Sequence, residues 1–221
     1  TLADRLALLP HLTSVADALA YAHDQGVVHR DLKPQNVILG AFGETVVLDW
    51  GLAKFLAAQA SGSLDELPPR PAPVVEEGLT LDGAVIGTPA YMSPEQAAGR
   101  AVDARSDVYA LGAILYQMLA GQPPAPSAAG VKSVLPLARL EPNLPADLLA
   151  ILEKAMAWEP VDRYPSAFEL SEDLKRFLAG QWVDARRYSW AARMRRRLTK
   201  RPAFFLTLGA ILAALVVWRR C

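Results

Sequence analysis

One cysteine, Cys221, is all the chain has, and it is the last of 221 residues. A lone thiol closes no internal disulfide, so the fold must hold by packing and polar pairing, as suits a reducing compartment. Histidine is almost as scarce. His11 and His23 stand alone on a helical stretch, with no cysteine or acid cluster to make metal ligands of them. Aromatics are 8% of the residues. Trp158, Trp182, Tyr188 and Trp190 read as packing residues, not as a stacking set for nucleic-acid bases. No internal repeat and no signal peptide is present, and the chain opens on Thr-Leu-Ala-Asp without a methionine, so both ends read as cut.

Acids are absent after Asp184. All 23 lie at or before it, against 13 bases up to Ala185, while the other 10 bases follow. The formal net charge of zero therefore hides an acidic globular part and a basic tail with anionic partners. Hydrophobic residues make up 52%, enough for a sizeable core.

Leu12, Val15, Ala16 and Leu19 recur at helical spacing and predict a buried helix over 11–25, closed by Gly26. Val27-Val28 is a very short strand. Residues 37–39 and 45–48 read as a hairpin that leads directly into Asp49. Residues 56–80 lack periodicity and are rich in Pro, Ala, Ser and acids, which reads as a flexible surface loop. Val108, Leu111, Leu115, Met118 and Leu119 mark an apolar helix from 106 to 120. Pro145 fits the first turn of a helix carrying Leu148, Leu149, Leu152 and Met156. Ser166 and Glu169 form a capping-box pattern that opens a last helix, ended by Gly180.

Eight bases crowd 186–201, followed by the uncharged stretch 202–218 and by Arg219 and Arg220. Seventeen residues of helix reach roughly 25 Å, near the lower limit for a bilayer core of about 30 Å. Cationic flanks favour a transmembrane helix over a buried core helix, and the charge asymmetry places the globular part in the cytoplasm. The basic run can meet RNA, DNA or lipid; its place beside the apolar stretch favours a juxtamembrane role.

The stretch from His29 to Asn36 reads HRDLKPQN. Phosphoryl transfer asks a protein for a proton acceptor, cations against phosphate charge, and ligands for Mg²⁺. Asp31 can accept a bond from a substrate hydroxyl. Lys33 can neutralise a transferring phosphate. Asn36 and Asp49 carry the hard oxygens that magnesium prefers, and Pro34 stiffens the loop. Taken alone, Asp49 is as readily a turn residue.

These residues, with Asp49-Trp50-Gly51 and Ser93-Pro94-Glu95 in the same order, resemble the catalytic signature of eukaryotic-type protein kinases. The spellings DWGLAK and GTPAYMSPEQA are similar to those of bacterial Ser/Thr kinases. The resemblance implies Asp31 as catalytic base and Lys33 at the γ-phosphate of ATP, with Ser/Thr rather than Tyr specificity. It implies Asn36 and Asp49 as Mg²⁺ ligands, Ile38 under the adenine, and Thr88 in the substrate pocket. Glu95 would pair with Arg163, and Asp107 would bond to the 29–31 backbone. Arg30 implies regulation by a phosphate, with Thr80 the first site for it. His29 is a packing residue. Trp50 and Ser93 depart mildly from the family's Phe and Ala. No Gly-x-Gly-x-x-Gly and no Val-Ala-x-Lys stretch occurs.

The expected fold is therefore mainly α: a kinase-like C-terminal lobe around a buried helix with one small β-hairpin, the N-terminal lobe absent, and a C-terminal transmembrane helix. The expected domains are the lobe at 1–180 (activation segment 49–95), a basic juxtamembrane linker at 181–201 and a span at 202–218. The expected protein is a single-pass membrane Ser/Thr kinase, its lobe cytoplasmic, using ATP and Mg²⁺ on protein substrates, with no nucleic-acid partner. This stretch alone is expected to be inactive. The alternative is a truncated, non-catalytic, membrane-anchored binding module.

Overall fold

The computed structural model describes residues 2–52, 54–55, 89–125, 137, 141–186 and 188. Residues 1–185 form one compact unit and 186–221 a second.

In the first unit, α1 spans Leu2–Leu6 and α2 Leu9–Asp24. The sequence pattern predicts a start at 11. The helix begins earlier because Pro10 lies in its first turn, where a missing N–H breaks no helical bond. Leu9, Leu12, Val15, Ala16 and Leu19 form its buried stripe.

Helix α4, Ala104–Ala120, follows the short α3, Pro94–Ala97. Asp103 caps α4 by accepting from the Arg105 N–H at 2.9 Å, and Gly121 closes it at φ 76°. Every residue from Ser106 to Tyr116 is buried, so α4 is the axis of the core. Gly112 sits where a β-carbon would lie 2.6 Å from Met156 Cγ and 3.0 Å from Ala155 Cβ. The absent side chain lets α5, Ala146–Ala155, pack against the α4 backbone.

Helix α6, Ala167–Leu178, opens on Ser166 with both halves of its capping box formed. It packs on α2 through Asp17, which accepts from Ser171 Oγ at 2.5 Å and from Lys175 Nζ at 2.8 Å. Asp173, fully buried on α6, accepts from the Tyr164 hydroxyl, from Arg176, and from the backbone N–H groups of Asp184 and Ala185. Four donors on one carboxylate tie the end of this unit to its last helix.

Strands β1 (Val27–Val28) and β4 (Lys54–Phe55) pair antiparallel, Val27 with Phe55 and Val28 with Lys54. Strands β2 (Val37–Leu39) and β3 (Thr45–Val47) form a separate hairpin, Val37 opposite Val47 and Leu39 opposite Thr45.

The expected fold class needs correction. The strands make two antiparallel pairs, not one hairpin, because β1 is too short to stand alone and finds its partner beyond Asp49. Among the described residues no helix is long and apolar enough to cross a membrane. The expected span at 202–218 lies outside the described residues. The described fold therefore holds no transmembrane element, in place of the expected one. The 56–80 loop also lies outside the described residues.

In the second unit the Arg186 guanidinium lies 5.4 Å from the Tyr188 ring centroid.

Candidate active site

The site is built where β1 and β3 run out. Val28 leads into His29, which is fully buried. His29 Nε2 donates to the Leu48 carbonyl at 2.9 Å, and Nδ1 accepts from the Asp31 N–H at 3.3 Å. One ring nitrogen donates and the other accepts, which assigns the proton to Nε2. The imidazole thereby joins the residue before Asp49 to the backbone of Asp31. Trp50 packs on it, ring centroids 4.7 Å apart, and donates its own N–H to the Val47 carbonyl at 3.1 Å. The Phe-to-Trp departure thus leaves no unpaired indole N–H.

Asp31 is half-buried. Lys33 Nζ reaches its Oδ2 at 2.7 Å. Asn36 is buried and donates its amide N–H to the Asp31 carbonyl at 2.7 Å. With Nδ2 so engaged, the Asn36 Oδ1 remains as an oxygen donor. The Asn36 carbonyl accepts from the Leu48 N–H at 2.8 Å, which sets Asn36 beside the strand end that carries Asp49. Asp49 is exposed, at φ 60°. Arg30 is at φ 73°, and these two are the non-glycine residues with positive φ among the described residues. Such backbones cost on the order of 1 kcal/mol or more and persist where surrounding bonds hold them. Ile38 is half exposed on β2, beside Val46.

Asp107 lies at the start of α4 and is buried. Its Oδ2 accepts from the His29 N–H at 2.8 Å and its Oδ1 from the Arg30 N–H at 2.9 Å. His23 Nε2 adds a third bond at 2.9 Å, while its Nδ1 accepts from the Ala167 N–H at 3.3 Å. His23 thus joins α2, α4 and α6. Nothing in the sequence marks it, since its partner lies 84 residues away.

Glu95 and Arg163 are both buried and meet through bonds of 2.7 and 2.8 Å. The other three guanidinium N–H groups go to the carbonyls of Arg105, Ala157 and Trp158. Burial pushes the Glu95 carboxyl up; bonds from Arg163 and Ser106 outweigh it and bring it down to about 2. Gln96 donates to the Arg30 carbonyl at 2.7 Å. The Ser93-x-x-Gln96 capping pattern is the sequence signal that could have drawn attention to it.

The structure therefore brings Asp31, Lys33 and Asn36 together, sets Asp49 at the adjoining strand end, and anchors the loop from below through Asp107. Glu95 and Arg163 stand apart from that cluster, in the core. Thr80 and Thr88 lie outside the described residues. The Arg30 Nε is buried and has no hydrogen-bond partner among the described residues.

The family model for the protein kinase domain matches residues 9–191. The chain is 38% identical over 193 residues to the serine/threonine-protein kinase PknD of Chlamydia trachomatis, covering 79% of this chain and 20% of that protein. It is 36% identical over 182 residues to the serine/threonine-protein kinase PknB of Mycobacterium leprae, covering 79% of this chain and 26% of that protein. The crystal structure of the Mycobacterium tuberculosis PknI kinase domain superposes with a TM-score of 0.55 at 29% identity, over 80% of this chain and 56% of that one. The chain spans about a fifth to a quarter of the length of the curated relatives it matches. The family match takes in the four strands of the described residues and the helices from α2 to α6. The expected mainly α lobe with the N-terminal lobe absent is corrected accordingly: the fold is kinase-like across 9–191.

Proposed function

The chain belongs to the protein kinase domain family, and from that premise we propose that it carries the catalytic loop of a Ser/Thr protein kinase, which transfers the γ-phosphate of ATP to protein hydroxyls. The observation that carries this reading is the cluster of Asp31, Lys33 and Asn36, bonded to one another and tied by the Leu48 N–H to the strand end before Asp49.

Asp31 accepts the proton of the attacking hydroxyl. Its orientation is held by the Asn36 bond to its carbonyl and the His29 bond to its N–H. Lys33, 2.7 Å from the carboxylate, leaves it when a phosphate offers more negative charge, and then neutralises that phosphate. Asn36 and Asp49 fit a magnesium ion: one amide oxygen and one exposed carboxylate suit a cation that fills its shell with phosphate oxygens and water. When bound, that ion neutralises charge on the phosphates. Ile38, half exposed on β2, offers an apolar seat for the adenine. Arg30, beside Asp31, takes a regulatory phosphate, with Thr80 the first site for it. Thr88 shapes the substrate pocket.

The 221 residues hold no Gly-x-Gly-x-x-Gly and no Val-Ala-x-Lys stretch, so we expect negligible phosphotransfer from these residues alone. The test is run on the full-length protein that carries them. Asp31→Ala removes labelled phosphate transfer to protein and leaves nucleotide binding largely intact, while Asp49→Ala weakens both. Equal loss of binding and turnover in Asp31→Ala argues against Asp31 as the base.

A further inference from the structure

We propose that Gln96 is a positioning residue for the catalytic loop: its side-chain amide holds the Arg30 carbonyl and so fixes the peptide that delivers Asp31. The inference rests on the reading of Asp31 as proton acceptor.

Arg30 lies at φ 73°, in the left-handed region that a residue with a β-carbon enters only at a cost. Something has to hold it there. From one side Asp107 takes the Arg30 N–H at 2.9 Å and the His29 N–H at 2.8 Å. From the other, Gln96 Nε2 donates to the Arg30 carbonyl at 2.7 Å. That carbonyl belongs to the peptide joining Arg30 to Asp31. The N–H of the same peptide donates to His29 Nδ1 at 3.3 Å. Both polar ends of the link into Asp31 are therefore bonded, and Gln96 supplies the shorter bond.

The orientation of Gln96 is itself determined. Its Oε1 accepts from the Ser93 N–H at 3.2 Å and from Ser93 Oγ at 2.9 Å. With the oxygen engaged in the capping box, the NH₂ group must face Arg30. The platform is firm, because the neighbouring Glu95 is locked to Arg163 in the core. A capping box accepts Glu or Gln equally. Only the amide can also donate to a carbonyl, so the Arg30 contact is what requires glutamine here.

Three variants of the full-length protein separate the roles: Gln96→Glu, which keeps the capping acceptor and loses the donor; Gln96→Met, which loses both; and Ser93→Ala, which loses the hydroxyl and keeps the donor. Steady-state kinetics and amide hydrogen exchange at Asp31 are the readouts. Both Gln96 variants lower kcat by roughly 10- to 100-fold with the KM for ATP within about 2-fold, as for a misplaced group, and speed exchange at Asp31. Ser93→Ala keeps the Ser93 N–H bond to Gln96 Oε1 and lowers kcat by less than either Gln96 variant. Unsubstituted kcat and exchange in Gln96→Glu overturn the proposal, as does an equal loss in Ser93→Ala. If Gln96→Met fails to fold, Gln96→Glu decides. If the unsubstituted protein transfers no phosphate, the functional reading falls and the exchange rates alone judge the clamp: faster exchange at Asp31 in Gln96→Glu supports it and unchanged exchange overturns it.

Discussion

The Arg163 guanidinium spends two of its five N–H groups on Glu95 and the other three on backbone carbonyls, with neither side chain open to solvent. A buried ion pair so completely bonded joins α3 to the segment before α6, 68 residues away.

Removing one partner strands the other charge. Arg163→Met is expected to destabilise the chain by about 3–5 kcal/mol in urea unfolding. Arg163→Lys recovers only part of this, since an ammonium has three donors for five acceptor positions.

The same pair sets an acid limit. The Glu95 carboxyl is near 2 in the fold against an ordinary 4.5. Its contribution is therefore present above pH 4.5 and is lost as pH falls toward 2, by about 3 kcal/mol in all. Glu95→Gln flattens that part of the stability–pH curve, measured by denaturant unfolding across the acid range. An acid limb as steep as in the unsubstituted chain would contradict the assignment.

At the alkaline end Tyr164 takes over. Burial, then the Asp173 carboxylate, raises its phenol well above the ordinary 10.0. The folded state holds the proton that the unfolded state releases, so this contribution is present below pH 10 and lost as pH rises above it. Tyr164→Phe is expected to remove the Tyr164 share of that alkaline loss, measured by denaturant unfolding from about pH 9 upward against the unsubstituted chain.

Asp107 serves three donors: two backbone N–H groups and His23. Asp107→Ala leaves all three unmatched, at about 1–3 kcal/mol each. Asp107→Asn, its oxygen placed toward His29 and His23, forfeits only the Arg30 bond and costs about a third as much. Equal losses in the two variants would show that Asp107 acts by volume and not by acceptance.

Lys33 is expected to behave differently. Its pair with Asp31 is partly exposed, so Lys33→Met shifts stability by less than about 1 kcal/mol. On the proposed function it still lowers kcat by at least about tenfold, through lost stabilisation of phosphate charge. A fall in stability matching the fall in activity would mark Lys33 as structural.

Much of this was readable along the chain. The loop from His29 to Asn36 carries its chemistry within eight residues, and the capping boxes at Ser93 and Ser166 each close within four. The stripe of α2 repeats at the helical period. Helix starts were legible less well, because Pro10 reads as a breaker until its place in the first turn is known. The fold class was misread where the pattern is weakest: two-residue strands carry no periodicity, and a 17-residue apolar run is no proof of a membrane span.

By itself the sequence determined what depends on near neighbours: helical faces, caps and the spacing of the polar loop, because turns and helices close their bonds within about four residues. Only the tertiary structure decided that His23 meets Asp107, that Gln96 reaches Arg30 and that β1 pairs with β4. Those partners lie 84 and 66 residues apart for the two side-chain contacts. Burial forces each polar group to find an acceptor or donor, but which one it finds is settled by what the packed core sets beside it.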